Sequence, residues 1–461
     1  MHHLTSTDPI DPIDPIAPSP EPGAPAGAAG AAGAAGAGTI VVGGGIGGLL
    51  AAITAADQHP HRRVVVVDPH PPGGRARVDR RAGFTFNRGP RALYVGGEAD
   101  RALRRLGVDT GRGGPPHLGG AVAIADGRVH RFPGGPISSA RTSLLTAGQK
   151  GQAARTLAAL WRATAADTDG RSLADWLDAR SVDPMVRRFV EALVRVATYA
   201  DAPEVLAAAP ALANARAGMR PGVRYLDGGW QSLVDQLVEL AHQRGVEVVA
   251  ESARHIDAGV DDGPVRVVTD RTTWSASSAI VAVGTPDAAA ALLSDPPASW
   301  SALPPPVTAA CLELGVRGLP RHRFAVGVDE PLYGSTHAPP ADLAPPGHAV
   351  VHLMRYQRAG EDVAAATQRS RLQELAGQMG IDPSSIVEER FLARMVVMGT
   401  IPAARTGGLA GRPPVAVAGH PGVHVVGDWV GDVGLLLDGV AASAVEAGGL
   451  AARRSATMVG A

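Results

Sequence analysis

Thr39-Ile-Val-Val-Gly-Gly-Gly-Ile-Gly-Gly-Leu-Leu50 is the stretch that decides the fold. Thr39 to Val42 is a short β-branched run, which suits a buried strand. The glycines from Gly43 to Gly48 form a turn. Ile46, Leu49, Leu50 and Ile53 then recur at helical spacing, and Arg63-Val-Val-Val-Val-Asp68 follows as a continuous apolar strand of the parallel-sheet kind. Strand, helix and strand make one βαβ unit.

Within that unit, Gly43-x-Gly45-x-x-Gly48 has the spacing of a phosphate-binding turn. Gly43 allows the tight exit from the strand, Gly45 lets a pyrophosphate approach the backbone, and Gly48 lets the helix pack close to the sheet. The helix N-terminus offers free N–H groups and a partial positive charge. Asp68 ends the second strand 20 residues past Gly48, where its carboxylate can accept from a ribose hydroxyl. The alternative for Asp68 is a solvated strand-end acid. Together these parts predict a dinucleotide site.

Three further segments separate FAD from NAD: Gly73-Gly-Arg75, Gly83-Phe-Thr-Phe-Asn-Arg-Gly-Pro90, and Gly427-Asp-Trp429 before a last helix. The set resembles the FAD-dependent superfamily of amine oxidases, protoporphyrinogen oxidases and phytoene desaturases. The resemblance covers about 39–95, 225–295 and 415–455. It implies that Gly43, Gly45, Ile46, Gly47 and Gly48 lie at the pyrophosphate, and Asp68 and Pro69 at the AMP ribose, with Ala253 close to the cofactor. It implies Gly74 and Arg75 near the phosphates and ring, and Gly89, Pro90 and Arg91 facing the isoalloxazine. Gly427 and Asp428 would hold the ribityl or pyrophosphate region, and the backbone at Gly439 and Val440 would point at the pyrimidine edge. Arg75 is alternatively a surface cation, and Asp428 a turn cap. The FAD would be bound non-covalently: covalent members often use a cysteine near the C-terminus, and Cys311 is far from it.

Departures from the family pattern bear on chemistry. Where the family often has Phe-Asp-x-Gly-Pro-His, this chain has Phe86-Asn-Arg-Gly-Pro-Arg91. Asn87 is neutral and Arg91 is permanently cationic. A more positive flavin face follows, or a carboxylate site on the surface. Amine oxidases of the group place a lysine near the flavin and aromatic faces around the amine. Lys150 is the only lysine, and Trp429 the only aromatic after residue 400. That is poor support for a cation cage and leans toward the desaturase-like branch.

Composition agrees with an enzyme of this kind. The chain has 461 residues, 45% of them hydrophobic, enough for two or three globular domains. A formal net charge of −1 gives no sign of nucleic-acid binding. The single cysteine fits a reducing, cytoplasmic setting and excludes cysteine-rich metal clusters. Cys311 sits in an alternating apolar run and reads as a core thiol. The scattered histidines make no convincing ligand pair, and no serine-nucleophile elbow is present. The uncharged stretch from Pro22 to Ala56 is glycine- and alanine-rich, with no basic flank beyond His2 and His3, so neither a signal peptide nor a membrane span is expected.

Residues 1–38, with three Asp-Pro-Ile repeats and an Ala/Gly run, are expected to be a disordered tail. The expected fold is α/β. A discontinuous Rossmann-type FAD domain would comprise 39–95, 225–295 and 410–461. An inserted mixed α+β substrate domain would comprise 96–224 and 296–409, its first part mostly helical. The expected reaction passes a hydride equivalent from an apolar small molecule, such as a polyene, isoprenoid or secondary metabolite, to the flavin. No catalytic base is identified, and the electron acceptor stays open among oxygen, a quinone or another carrier. The alternatives are an amine or amino-acid oxidase and, from another class, a non-redox lipid- or prenyl-binding protein on the same scaffold.

Overall fold

The structure is a computed structural model and describes residues 35–259 and 263–457. The expected tail up to residue 34 lies outside them. Strand β1 runs Ala35–Val42, so it starts earlier than the apolar pattern indicates. Gly36 and Ala37 pair in parallel with Ser275 and Ala276. Main-chain hydrogen bonds to a neighbouring strand recruit this small-residue segment without side-chain help. Helix α1 follows over Ile46–Gln58 and strand β2 over Val64–Val67, the latter wholly buried.

Around this unit a parallel sheet assembles from distant segments. β1 is central, with β2 and then Glu247–Val249 on one side and Thr273–Val281 on the other. The Thr273–Val281 strand forks. Its first half pairs antiparallel with Val265–Thr269, and its second half pairs parallel with Val423–Val425. Helix α1 and the helices Gln231–Gln243 and Leu437–Thr457 cover the sheet and share its apolar core. Trp429 is fully buried there, edge-on to Trp300 at 5.2 Å.

A second seven-stranded sheet runs in the order Ile386–Met398, Val307–Arg317, His348–Gln357, Leu332–Thr336, Phe324–Gly327, Val122–Ala125, Arg128–Arg131. All neighbours are antiparallel except Phe324–Gly327 with Val122–Ala125. Helix Ala365–Gln378 packs Leu372 and Leu375 onto this sheet. A helical layer between Ala147 and Met219 gathers a separate core around Trp176, Phe189 and Leu212. Cys311 is a buried thiol in the Val307–Arg317 strand, as its alternating neighbours indicate.

The hairpin at 122–131 interrupts the segment from about 98 to 220, which is otherwise mostly helical as expected. Asp126 and Gly127, at φ +49° and +69°, turn it. An Asp-Gly pair between two alternating runs is a hairpin signal, because both central residues of such a turn need positive φ.

Candidate functional site

A cavity of about 460 Å³ opens where the glycine turn, the Gly73-Gly-Arg75 turn and the second sheet meet. Gly45, the cap residue of α1, borders it with Ile46 and Gly47. Leu49 N–H is the first to donate back to Gly45, so the N–H groups before it have no helical acceptor. A side-chain carbon added at Gly45 would meet nothing within 4 Å. One at Gly48 would sit 1.9 Å from the Gly43 carbonyl oxygen, so Gly48 lies behind the wall as the close-packing residue. The shape is a backbone cradle, open where a phosphate would approach.

Asp68 stands at the same end. Its Oδ2 accepts the Gly44 N–H at 2.7 Å and its Oδ1 accepts the His70 N–H at 2.9 Å. It therefore shapes the turn, and a carboxylate's remaining lone pairs can still accept ligand hydroxyls. Pro69 and Ala253 are beside it on the wall. Gly73 N–H donates to the Gly44 carbonyl at 2.8 Å, which lays Gly74 and Arg75 across the cavity.

Arg75 pairs with Asp428 at 3.2 Å. Asp428 is buried, and its other oxygen accepts the Gly399 N–H at 2.8 Å. A buried carboxylate needs such partners, and here it braces three segments. Gly427 and Asp428 both reach the wall. Arg412, which the sequence reading missed, holds the loop beyond: its guanidinium donates 2.6 Å bonds to the Asp428 and Gly434 carbonyls. Burial lowers the pKa of Arg412 to about 10, so it stays cationic at neutral pH.

The last helix presents its first turn through Leu437, Asp438 and Val440. Gly439 lies off the wall, against Arg412. Val440 N–H donates to the Leu436 carbonyl at 3.2 Å, so Val440 reaches the cavity with its side chain rather than a free N–H. Asp438 accepts the Ala99 N–H at 2.9 Å, and burial pushes its carboxyl above the ordinary range.

Pro90 and Arg91 form part of the opposite wall, with Gly89 behind them against Met395. Arg91 donates to the Arg75 carbonyl at 3.0 Å and its guanidinium lies 5.5 Å from the Trp230 ring centre. Burial, with help from Arg75, lowers its pKa to about 10. Asn87 is not at the cavity. It is buried and accepts the Trp230 N–H at 2.9 Å, a task an uncharged amide oxygen performs without desolvating an anion.

These residues suit a dinucleotide with an extended ring system, and comparison with known proteins is decisive. The family model described as flavin containing amine oxidoreductase matches residues 46–454.

The chain belongs to the flavin-containing amine oxidoreductase family.

It is a flavin-dependent oxidoreductase by that membership. An oxidoreductase from Methanosarcina mazei superposes with a TM-score of 0.68 at 18% identity, covering 88% of this chain and 99% of that one. A redesigned putrescine oxidase gives 0.68 at 15% identity over 93% and 100%. Cyclohexylamine oxidase from Brevibacterium oxydans IH-35A gives 0.61 at 18% identity over 92% and 100%. At such identities the likeness is one of fold. No curated protein matches the sequence.

Within this family member, aromatic residues do border the cavity, from outside the region after residue 400. Tyr94, Tyr199 and Trp230 border it, drawn from three separate segments. Trp429 does not; it belongs to the sheet core. Lys150 also stands elsewhere, donating from an exposed helix to the Ala140 carbonyl at 2.9 Å. Met395, Val397 and Leu436 complete an apolar side. Among the described residues, Cys311, Glu313 and His352 offer three ligand atoms within 4.8 Å of one another. The Glu313 charge is already balanced by Arg390 at 2.7 Å, so nothing in the cluster calls for a cation. No helix among the described residues is long and apolar enough to cross a membrane.

Proposed function

We propose that the protein is an FAD-dependent dehydrogenase or oxidase of an apolar small molecule, cytoplasmic, with FAD held non-covalently in the cavity between the sheets. The observation that carries this is the continuity of one cavity from the Gly45 backbone cradle to the Met395, Val397 and Leu436 side. The α1 N-terminus with Gly45, Ile46 and Gly47 would take the pyrophosphate, Asp68 the ribose, and Arg75 and Arg91 would face the ring. FAD, once bound, supplies a two-electron acceptor.

The chain's contribution is orientation, charge and exclusion of water. Tyr94 and Tyr199 keep their protons, because burial raises both hydroxyls. Arg91 stays cationic with its pKa near 10 and favours negative charge on its neighbours. None of these three is a general base near neutral pH, which suits direct hydride removal from carbon.

A second reading, an amine substrate, rests on Tyr199 and Trp230, aromatic residues that border the cavity and are of the kind that holds a cation. The neighbouring folds of putrescine and cyclohexylamine oxidases add to it.

The test is the visible spectrum of the purified protein before and after anaerobic dithionite, then chromatography of the flavin released by heat. Free FAD in the supernatant is expected. A protein that stays colourless after incubation with FAD would sink the redox reading and leave a binding role. Anaerobic bleaching by an alkene or ring substrate but no amine supports the first reading. The reverse pattern establishes the second.

A further inference from the structure

Glu313 is fully buried in the middle of the Val307–Arg317 strand and does not border the cavity. A carboxylate there is expensive unless every lone pair is used. Its Oε1 accepts the Gly89 N–H at 2.7 Å, and its Oε2 accepts from Arg390 at 2.7 Å. His352 Nδ1 lies 3.1 Å from Oε1, close enough for an ion pair but off the line of a hydrogen bond. Arg390 also binds Asp79 at 2.8 Å, and Asp79 binds Arg88 at 3.1 Å. Alternating charges thus run Arg88, Asp79, Arg390, Glu313 and return to the chain at Gly89.

That circuit encloses an unusual piece of backbone. Arg88 and Gly89 are consecutive residues at positive φ, +54° and +96°. A side-chain carbon at Gly89 would sit 2.5 Å from Met395 Sδ. Pro90 and Arg91 on the wall follow immediately. A turn that an L-residue at 88 adopts only reluctantly persists when its surroundings over-determine it. The Glu313 bond to the Gly89 N–H is the main-chain half of that constraint. Glu313 also supplies negative charge that is felt at Arg91.

We infer that Glu313 is a positioning residue of the flavin site. From the second sheet it fixes the Arg88–Gly89 turn, and with it Pro90 and Arg91, and it sets the charge felt by a bound flavin. This rests on the proposed FAD reading. Arg390 is its counterweight.

Full-length Glu313→Gln, Glu313→Ala and Arg390→Met are compared with the wild type. The measurements are FAD affinity by flavin fluorescence, flavin midpoint potential and melting temperature of the flavin-free protein. Glu313→Gln keeps the shape and an acceptor for Gly89 but removes a negative charge. Flavin reduction adds negative charge, so the midpoint potential is expected to rise. Arg390→Met removes a positive charge and is expected to lower it. Glu313→Ala loses the acceptor as well, and FAD affinity is expected to fall about tenfold. A purely structural role would change the melting temperature and leave the potential alone. If Glu313→Gln folds, binds FAD and keeps the wild-type potential and affinity, the inference is overturned. Should Glu313→Ala fail to fold, the isosteric Gln variant still decides. A wild type that binds no FAD removes the functional reading and this one with it; unaltered variants beside a flavin-loaded wild type remove this one alone.

Discussion

On the parallel-sheet side, the cavity wall is largely main chain: the Gly43 to Gly48 turn, the Gly73-Gly74 turn and the ends of strands, held by bonds such as Gly44 N–H to Asp68. On the antiparallel-sheet side it is side chains: Met395, Val397 and Tyr199, with paired charges buried behind them. A main-chain wall can recognise only what every member of a cofactor class shares, namely phosphates and ribose hydroxyls. A side-chain wall can be changed residue by residue without touching the cofactor turn. Damage to the first wall should therefore appear as lost flavin, and damage at the Asp201–Arg195 pair behind the second, away from the Glu313 bond to Gly89, as lost stability with flavin retained.

The sharpest way to break that contrast is Gly48→Ala. Its new carbon would meet the Gly43 carbonyl oxygen at 1.9 Å, so the helix must move away from the sheet at a cost of about 3 kcal/mol. Complete loss of bound flavin is expected in the 450 nm absorbance of the purified variant. Next comes Asp201→Asn. Asp201 pairs with Arg195 at 2.8 Å, both buried, and Arg195 ties its helix to the Gly327 carbonyl of the second sheet. Weakening a buried pair costs about 3 kcal/mol. A fall in unfolding free energy with the flavin retained per folded molecule is expected. Flavin loss in proportion would show that the two walls are not separable.

Asp68→Ala should be milder. It removes the acceptor for Gly44 N–H, and flavin affinity measured by fluorescence titration should drop about tenfold. Acid probes the same division. Burial raises the carboxyl pKa of Asp201 and Glu313, but the guanidiniums of Arg195 and Arg358 at Asp201, and His352, Arg390 and Gly89 at Glu313, outweigh it. Both folded-state values lie below their unfolded ones. The stability they contribute is complete above the unfolded values and is lost as pH falls through the folded ones, which places the loss below about pH 4. Thermal melts from pH 6 to pH 3 should show the wild type losing more stability than Asp201→Asn. Lys150→Met should have the smallest effect. Flavin content and turnover are expected to be unchanged, and a lost activity would revive a lysine-assisted amine oxidation.

The same contrast governs how much could be read in the sequence. The glycine turn, Asp68 and the Gly-Gly-Arg segment are legible because each depends on neighbours close in the chain. The Val423–Val425 strand and the last helix were legible from their apolar patterns. Tyr199, Met395 and Glu313 carry no local signal: an apolar strand looks the same whether it faces a cavity or a core. Trp429 misled for that reason, since adjacency to Asp428 says nothing about which side of a loop faces the ligand. The hairpin at Asp126-Gly127 had a readable turn, but its strands are four residues each and sit amid helical patterns.

The contact of α1 with the helix Leu437–Thr457 has a consequence for when the protein can work. Gly47, near the start of the described chain, packs against Val440, near its end. At ribosomal speeds of roughly 5–20 residues per second, tens of seconds separate the making of these two halves. The early βαβ unit must wait through that interval with its apolar helix face uncovered. Cofactor loading is therefore a late event in the life of each molecule, and a cell short of flavin would hold completed chains waiting for it rather than nascent ones.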